Sequence, residues 1–264
     1  MRPVLGRERI GRVQVATLSR PPVNALDGEL VERLDELLTE VSADPEVSVL
    51  HIRSDQKTFC AGADLTLMRS RLETRDGIDA MVEQVRRLQL LFARMEAAPV
   101  VTLAEIGGAA LGGGLELALA CDLRVAATDA KLGLPEVSLG VVPGAGGTQR
   151  LTRLCGSGIA KRLILGAEVI DGAQAEPLAI VQWVLPRERL AEWTRKLAAR
   201  IAEMPRGALA ASKRCVHAAG DAKRDGLAEE LAATRELYGQ AQTRAKVTEF
   251  LSRKFNGART KEMP

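Results

Sequence analysis

Short β-branched runs recur along this chain, several of them separated by a stretch that holds one amphipathic helix. That alternation limits the fold more than any other feature. VQVATL (13–18), VSVLHI (47–52), PVVTLAEI (99–106) and DLRVA (122–126) read as strands bounded by Pro, Gly or Asp. Between the first two, Asp27 stands as an N-cap ahead of Leu30, Leu34, Leu37 and Val41, which share one helical face. A second helix is predicted through Val82, Val85, Leu88, Phe92 and Met95, stopping near Pro99. Strands recurring between helices of that length predict an α/β domain.

Near residue 187 the texture changes. Leu190, Trp193, Leu197, Ile201 and Met204 fall on one helix face, closed by Pro205-Arg206-Gly207, and two further helical stretches follow, one carrying Leu227, Leu231 and Leu237. The sequence therefore divides into 1–186 and a helical region 187–264. Apolar helix faces without a strand partner need a cover, either the core or another subunit.

With 264 residues and 46% hydrophobic content, the chain can bury one large domain or a domain with an appendage. A net charge of +3 and 3% aromatic residues argue against a nucleic-acid binder. No apolar run approaches the ~20 residues of a membrane span, and MRPVLGRERIGRV holds no apolar core of a signal peptide. Four scattered cysteines without a CxxC and only two histidines, His51 and His217, predict no metal site. They fit buried thiols in a reducing, cytoplasmic compartment.

Chemistry concentrates in three stretches. In ALGGGLELALACDLRVA (110–126), Gly112–Gly114 expose backbone N–H groups, and Glu116 is followed only by apolar residues until Asp122. The triple glycine reads either as a tight turn or as a helix start whose free N–H groups receive an oxyanion. As a mere complement to the helix dipole, Glu116 would gain ~0.3–1 kcal/mol, less than the cost of burying an unpaired carboxylate. In FCAGADL (59–65), small residues again leave the backbone bare after a strand. Two donors from separate loops converging on one oxygen would form an oxyanion hole for an enolate. In LPEVSLGVVPGAGGTQRL (134–151), Glu136 follows Pro135 as either an ordinary first-turn glutamate or a site acid. PGAGGTQRL has the look of a phosphate cradle, but it lacks the Walker lysine, and neither glycine cluster completes GxGxxG after a strand.

Together with PPVNAL (21–26), these stretches resemble the enoyl-CoA hydratase/isomerase, or crotonase, family from about residue 8 to residue 185, with a fainter match at FLSRKF. The resemblance implies a spiral of repeated ββα units followed by a helical trimerisation region, usually assembled as a dimer of trimers. It implies an enoyl-CoA hydratase acting on trans-2-enoyl thioesters, with a Δ3-Δ2 isomerase or another acyl-CoA lyase of the same fold as the alternative. A noncatalytic RNA-binding or scaffold role is the more distant one. By the same resemblance, the oxyanion donors are the N–H groups of Ala63 and Gly113. The acids are Glu116 and Glu136, with Glu136 transferring the C2 proton and Glu116 activating water. Ala25 and Leu26, with Ala61, Ala63, Asp64 and Leu65, would line the coenzyme A path, and Lys57, Arg253 and Lys254 are candidates for its phosphates. Coenzyme A belongs to the substrate, so no separate cofactor is expected. The chain departs from the family at Gly107, at TRAKVTEF, and at Pro177 and Ala179, where a distorted turn is expected.

Overall fold

The computed structural model describes residues 3–259, with side chains through 252. Strands β1 (Leu5–Ile10) and β2 (Val13–Leu18) form a hairpin whose tight turn uses Gly11 at φ 57°, a conformation that glycine adopts without a Cβ penalty. Helix α1 (Gly28–Ala43) follows, with the Asp27 carboxylate accepting from the Leu30 N–H as the sequence predicts. Its Leu30, Leu34, Leu37 and Val41 are all buried.

The chain then passes through β3 (Val49–Ser54), α2 (Leu65–Arg71), α3 (Arg75–Ala97), β4 (Val101–Ile106), β5 (Ala110–Leu111), α4 (Gly113–Leu119), β6 (Leu123–Ala127) and β7 (Lys131–Gly133). A 3-10 turn, Pro135–Leu139, leads to α5 (Gly147–Leu165), which kinks at Gly156; β8 (Val169–Asp171), α6 (Gly172–Ala175), β9 (Trp183–Leu185) and α7 (Arg187–Ala202) complete this part. One six-stranded sheet runs β1-β2-β3-β4-β6-β9, parallel throughout except for the first hairpin, and a three-stranded sheet runs β5-β7-β8. All six residues of β4 are buried, as expected for a central parallel strand covered on both faces.

Two sequence expectations shift. In α3, burial begins at Leu88, and Val82 is exposed, so the apolar face of its first turns is not core. Helix α7 packs on β2, β3, β4 and β6, buries Leu190, Leu197 and Ala198, and sets Trp193 5.4 Å from Trp183. The helical texture beginning at residue 187 therefore straddles two compact units, 1–203 and 204–264. The second unit contains α8 (Arg206–Ala218), α9 (Gly226–Tyr238) and α10 (Ala241–Arg259). Pro205 caps the start of α8 rather than simply ending α7, and Met204 lies exposed between the two helices. Within this unit α8 packs on α9, but of α9 only Ala233 is buried, while Leu227 and Leu231 are exposed.

The expected irregularity around Pro177 is present. Helix α6 stops after Ala175, and Ala179 takes φ 59°, where a glycine would be unstrained.

Candidate active site

The site grows from the carboxyl ends of two neighbouring parallel strands, where open α/β sheets leave a crevice. Strands β3 and β4 pair in register, so the loops that leave them run side by side, and Cys60 bridges Ala110 in parallel. The Cys60 N–H donates to Ala109 O at 3.0 Å, and the Leu111 N–H donates to Cys60 O at 3.0 Å. Gly62, at φ 87°, fits so closely that a Cβ there would stand 2.9 Å from the Gly113 nitrogen. Ala63 and Gly113 thus come from adjoining loops, and neither N–H has an acceptor among the described residues. Gly113 opens α4 behind Gly112 (φ 53°), where first-turn N–H groups have no intrahelical acceptor.

The PPVNAL turn buttresses the first loop. Asn24 is fully buried at φ 52°; its amide nitrogen donates to Ser54 Oγ (2.7 Å) and Phe59 O (2.9 Å), and its oxygen accepts from the Arg20 N–H (2.8 Å). The Leu26 N–H donates to Gly62 O at 2.8 Å, and a Cβ on Gly113 would meet Leu26 Cδ1 at 3.2 Å. Ala25 and Leu26 are buried, whereas Ala63 and Leu65 are exposed. Asp64 caps α2, its carboxylate accepting from the Thr66 and Leu67 N–H groups at 3.0 Å each. The Cys60 thiol donates to Asn24 O at 3.0 Å, and burial pushes it up to about 12, which marks it as an inert packing thiol.

Strand pairing also brings the acids together. Strands β5 and β7 are parallel neighbours, and the Gly112 N–H donates to Gly133 O at 3.0 Å. The residues that follow each strand, Gly112–Glu116 and Leu134–Glu136, therefore meet. A Cβ on Gly112 would lie 3.1 Å from Glu136 Oε1, and one on Gly113 would lie 3.9 Å from Glu116 Oε2. Glu116 is 3% exposed and Oε1 accepts from the Gly147 N–H at 2.7 Å. Burial raises its pKa above the ordinary carboxylate value, opposed by the Gly147 and Ala145 backbone and by the Arg150 charge. Glu136 has only its own backbone N–H as a donor, and its buried Oε2 has no hydrogen-bond partner among the described residues. Burial, aided by the nearby Glu116 charge, pushes it up to about 7. The far end of α4 is held by the buried Arg124, whose guanidinium donates to Cys121 O (2.6 Å) and Ile180 O (2.7 Å).

A family model described as enoyl-CoA hydratase/isomerase matches residues 8–256. The chain belongs to the enoyl-CoA hydratase/isomerase family. It is 34% identical over 258 residues to the short-chain-enoyl-CoA hydratase of Clostridium acetobutylicum, covering 95% of each chain. It is 41% identical over 198 residues to the crotonyl-CoA hydratase of Syntrophomonas wolfei, covering 74% of each. The crystal structure of an enoyl-CoA hydratase from Bacillus anthracis superposes with a TM-score of 0.89 at 31% identity, covering 95% of this chain and 96% of that one. The α/β architecture is the crotonase fold.

Within this family member, the structure brings together Ala63, Gly113, Glu116 and Glu136 from three segments, with Leu26 from a fourth against Gly113. Lys57 is exposed on the loop after β3. The side chains of Arg253 and Lys254 lie outside the described residues. What the motifs did not disclose is the role of PGAGGTQRL. Its Gly147 holds the Glu116 carboxylate so closely that a Cβ there would stand 2.9 Å from Oε1. The available signal was two adjacent glycines at a helix start, a bare backbone like the one recognised at 112–114.

Proposed function

We propose that this family member is an enoyl-CoA hydratase that adds water across the C2–C3 double bond of trans-2-enoyl-CoA thioesters. One observation carries the reading: two acids with opposite surroundings stand beside two adjoining backbone N–H groups without acceptors. In this mechanism, the Ala63 and Gly113 N–H groups hold the thioester oxygen and stabilise its charge as the enolate forms. Glu116, ionised and aimed by the Gly147 N–H, takes a proton from water while the resulting hydroxide bonds to C3. The C2–C3 π electrons pass to the enolate, which then takes the Glu136 proton at C2. The proton gained by Glu116 then passes to Glu136, directly or by exchange through solvent, restoring both acids. Coenzyme A enters as part of the substrate, and no further cofactor has a step.

The reading extends to a cytoplasmic enzyme that binds neither nucleic acid nor membrane. No helix among the described residues is long and apolar enough to cross a membrane. It also includes a trimer or dimer of trimers built through the C-terminal helices, supported by the exposed Leu227 and Leu231. Sedimentation should give a trimer or its multiple at micromolar concentration, and a stable monomer would overturn the assembly.

The deciding assay follows loss of the enoyl absorbance with crotonyl-CoA. Hydration is expected, whereas isomerisation of a 3-enoyl-CoA without hydration would favour the isomerase reading. That alternative needs chiefly Glu136 and leaves the careful seating of Glu116 without a purpose.

A further inference from the structure

The Gly144–Gly147 stretch is held from two sides. On one side the Gly147 N–H donates to Glu116; on the other lies Arg150, from the first turn of α5, only 9% exposed. Its Nη1 donates to Ala145 O at 2.9 Å, and its Nη2 meets Glu96 Oε2, from α3, at 2.5 Å. The guanidinium also lies over the Phe92 ring, 5.8 Å from its centre. Gly146 takes φ 102°, and a Cβ there would run into Arg150 Nη1, while a Cβ on Gly147 would run into Glu116. Two consecutive glycines are what allow a turn to be clasped between a cation and a carboxylate.

A buried guanidinium costs free energy unless its charge and donors are matched; here Glu96 matches the charge and Ala145 O takes one donor, while the buried Nε has no partner among the described residues. Neither Arg150 nor Glu96 is assigned contact with the substrate. We propose that Arg150 is a positioning residue for the reaction: braced by Glu96 and Phe92, it fixes the Ala145–Gly147 turn so that the Gly147 N–H keeps the Glu116 carboxylate aimed at the attacking water.

This rests on the hydratase reading of Glu116. The charged groups around Glu116 are Glu136 from the 3-10 turn and Arg150 from α5, with Glu96 of α3 behind the arginine; Leu134 adds an apolar wall. Arg150 contributes the attractive charge, drawing Glu116 back toward the ionised form that a base requires.

The test compares full-length Arg150→Gln, Arg150→Lys, Glu96→Gln and Glu116→Gln, measuring kcat and KM for crotonyl-CoA across pH alongside thermal unfolding. For Arg150→Gln, kcat should fall ~10–10²-fold through misorientation of the base. Its KM should hold within about twofold, since no binding contact is lost. The acidic limb should move to higher pH, because the ionised base loses its cation. Arg150→Lys should restore the limb but only part of kcat, since an ammonium lacks the planar fork. Glu96→Gln keeps the cation but loosens it, so kcat should fall several-fold without an upward shift of the limb.

Wild-type kcat and limb in a folded Arg150→Gln protein would overturn the proposal, as would losses that track unfolding with the limb unmoved. If Arg150→Gln does not fold, wild-type kcat in both Arg150→Lys and Glu96→Gln overturns it instead. Full activity in Glu116→Gln would sink the hydratase reading itself. An inactive Glu116→Gln beside fully active Arg150 variants would remove only the positioning role.

Discussion

Glu116 and Glu136 are the same residue type in one cluster, yet their surroundings are opposite. Glu116 sits inside an apolar helix but accepts a 2.7 Å bond from Gly147 and feels Arg150. Glu136 sits on a 3-10 turn, less deeply buried, with no anchor for its inner oxygen and with Glu116 as a neighbour. The more deeply buried acid is the one equipped to stay ionised. The acid held only by its own backbone N–H is the one raised to about 7, where it can hold a proton to give. Partners and neighbouring charge, more than depth, divide the work.

Exchanging each acid for its amide tests this division most severely. Glu116→Gln and Glu136→Gln should each cut hydration by ~10²–10⁴-fold. The double variant should lose much less than the product of the two, because both acids serve one water and one substrate. Deuterium exchange from solvent into C2 should survive in Glu116→Gln and vanish in Glu136→Gln; the reverse pattern would invert the roles.

Gly113→Val attacks what the two acids share. Its Cβ would stand 3.2 Å from Leu26 Cδ1 and 3.4 Å from Gly62 Cα, and the branch would enter the space the thioester oxygen must occupy. Turnover should fall ~10²–10³-fold, the cost of an oxyanion donor, with secondary structure retained by circular dichroism. Near-normal activity would take Gly113 out of the site.

The pH profile reads the asymmetry directly. Hydration should decline toward alkaline pH through about 7, as Glu136 loses the proton it must deliver. Above that point the fall should approach about tenfold per unit. Below the pKa of Glu116, itself raised by burial, the rate should fall again as the base is protonated. A flat profile from pH 6 to about 9 would contradict the assignment of Glu136 as the proton donor.

The smallest effect concerns stability. Because Glu136 is raised from 4.5 to about 7 in the fold, its contribution is full below the unfolded value and is lost as pH rises through the folded one. Glu136→Gln never carries that charge, so above pH ~7 it should exceed wild type by on the order of 1 kcal/mol, after discounting for solvent screening at a partly exposed site. Denaturant midpoints at two pH values, one below and one above the transition, would measure it. An equal stability difference at both would assign the effect to packing instead of charge.

The sequence by itself determined much of this molecule. The strand and helix alternation, the Asp27 cap, the glycines that open α4 and the odd turn at Ala179 are local matters of periodicity, side-chain oxygens and Cβ sterics. Those signals, with the family motifs, also named Ala63, Gly113, Glu116 and Glu136. They misjudged Val82 and Met204, because whether an apolar side chain is covered depends on neighbours that periodicity does not reveal. Only the tertiary structure decided which acid is anchored by a distant segment and which keeps only its own backbone N–H. The β5–β7 pairing carries Glu136 to Gly112 across 24 residues of chain, and Glu96, Arg150, the Ala145–Gly147 turn and Glu116 join into one chain of contacts from three helices and a loop. A pKa is set by the dielectric, donors and charges around a group, and here those arrive from segments far apart along the chain.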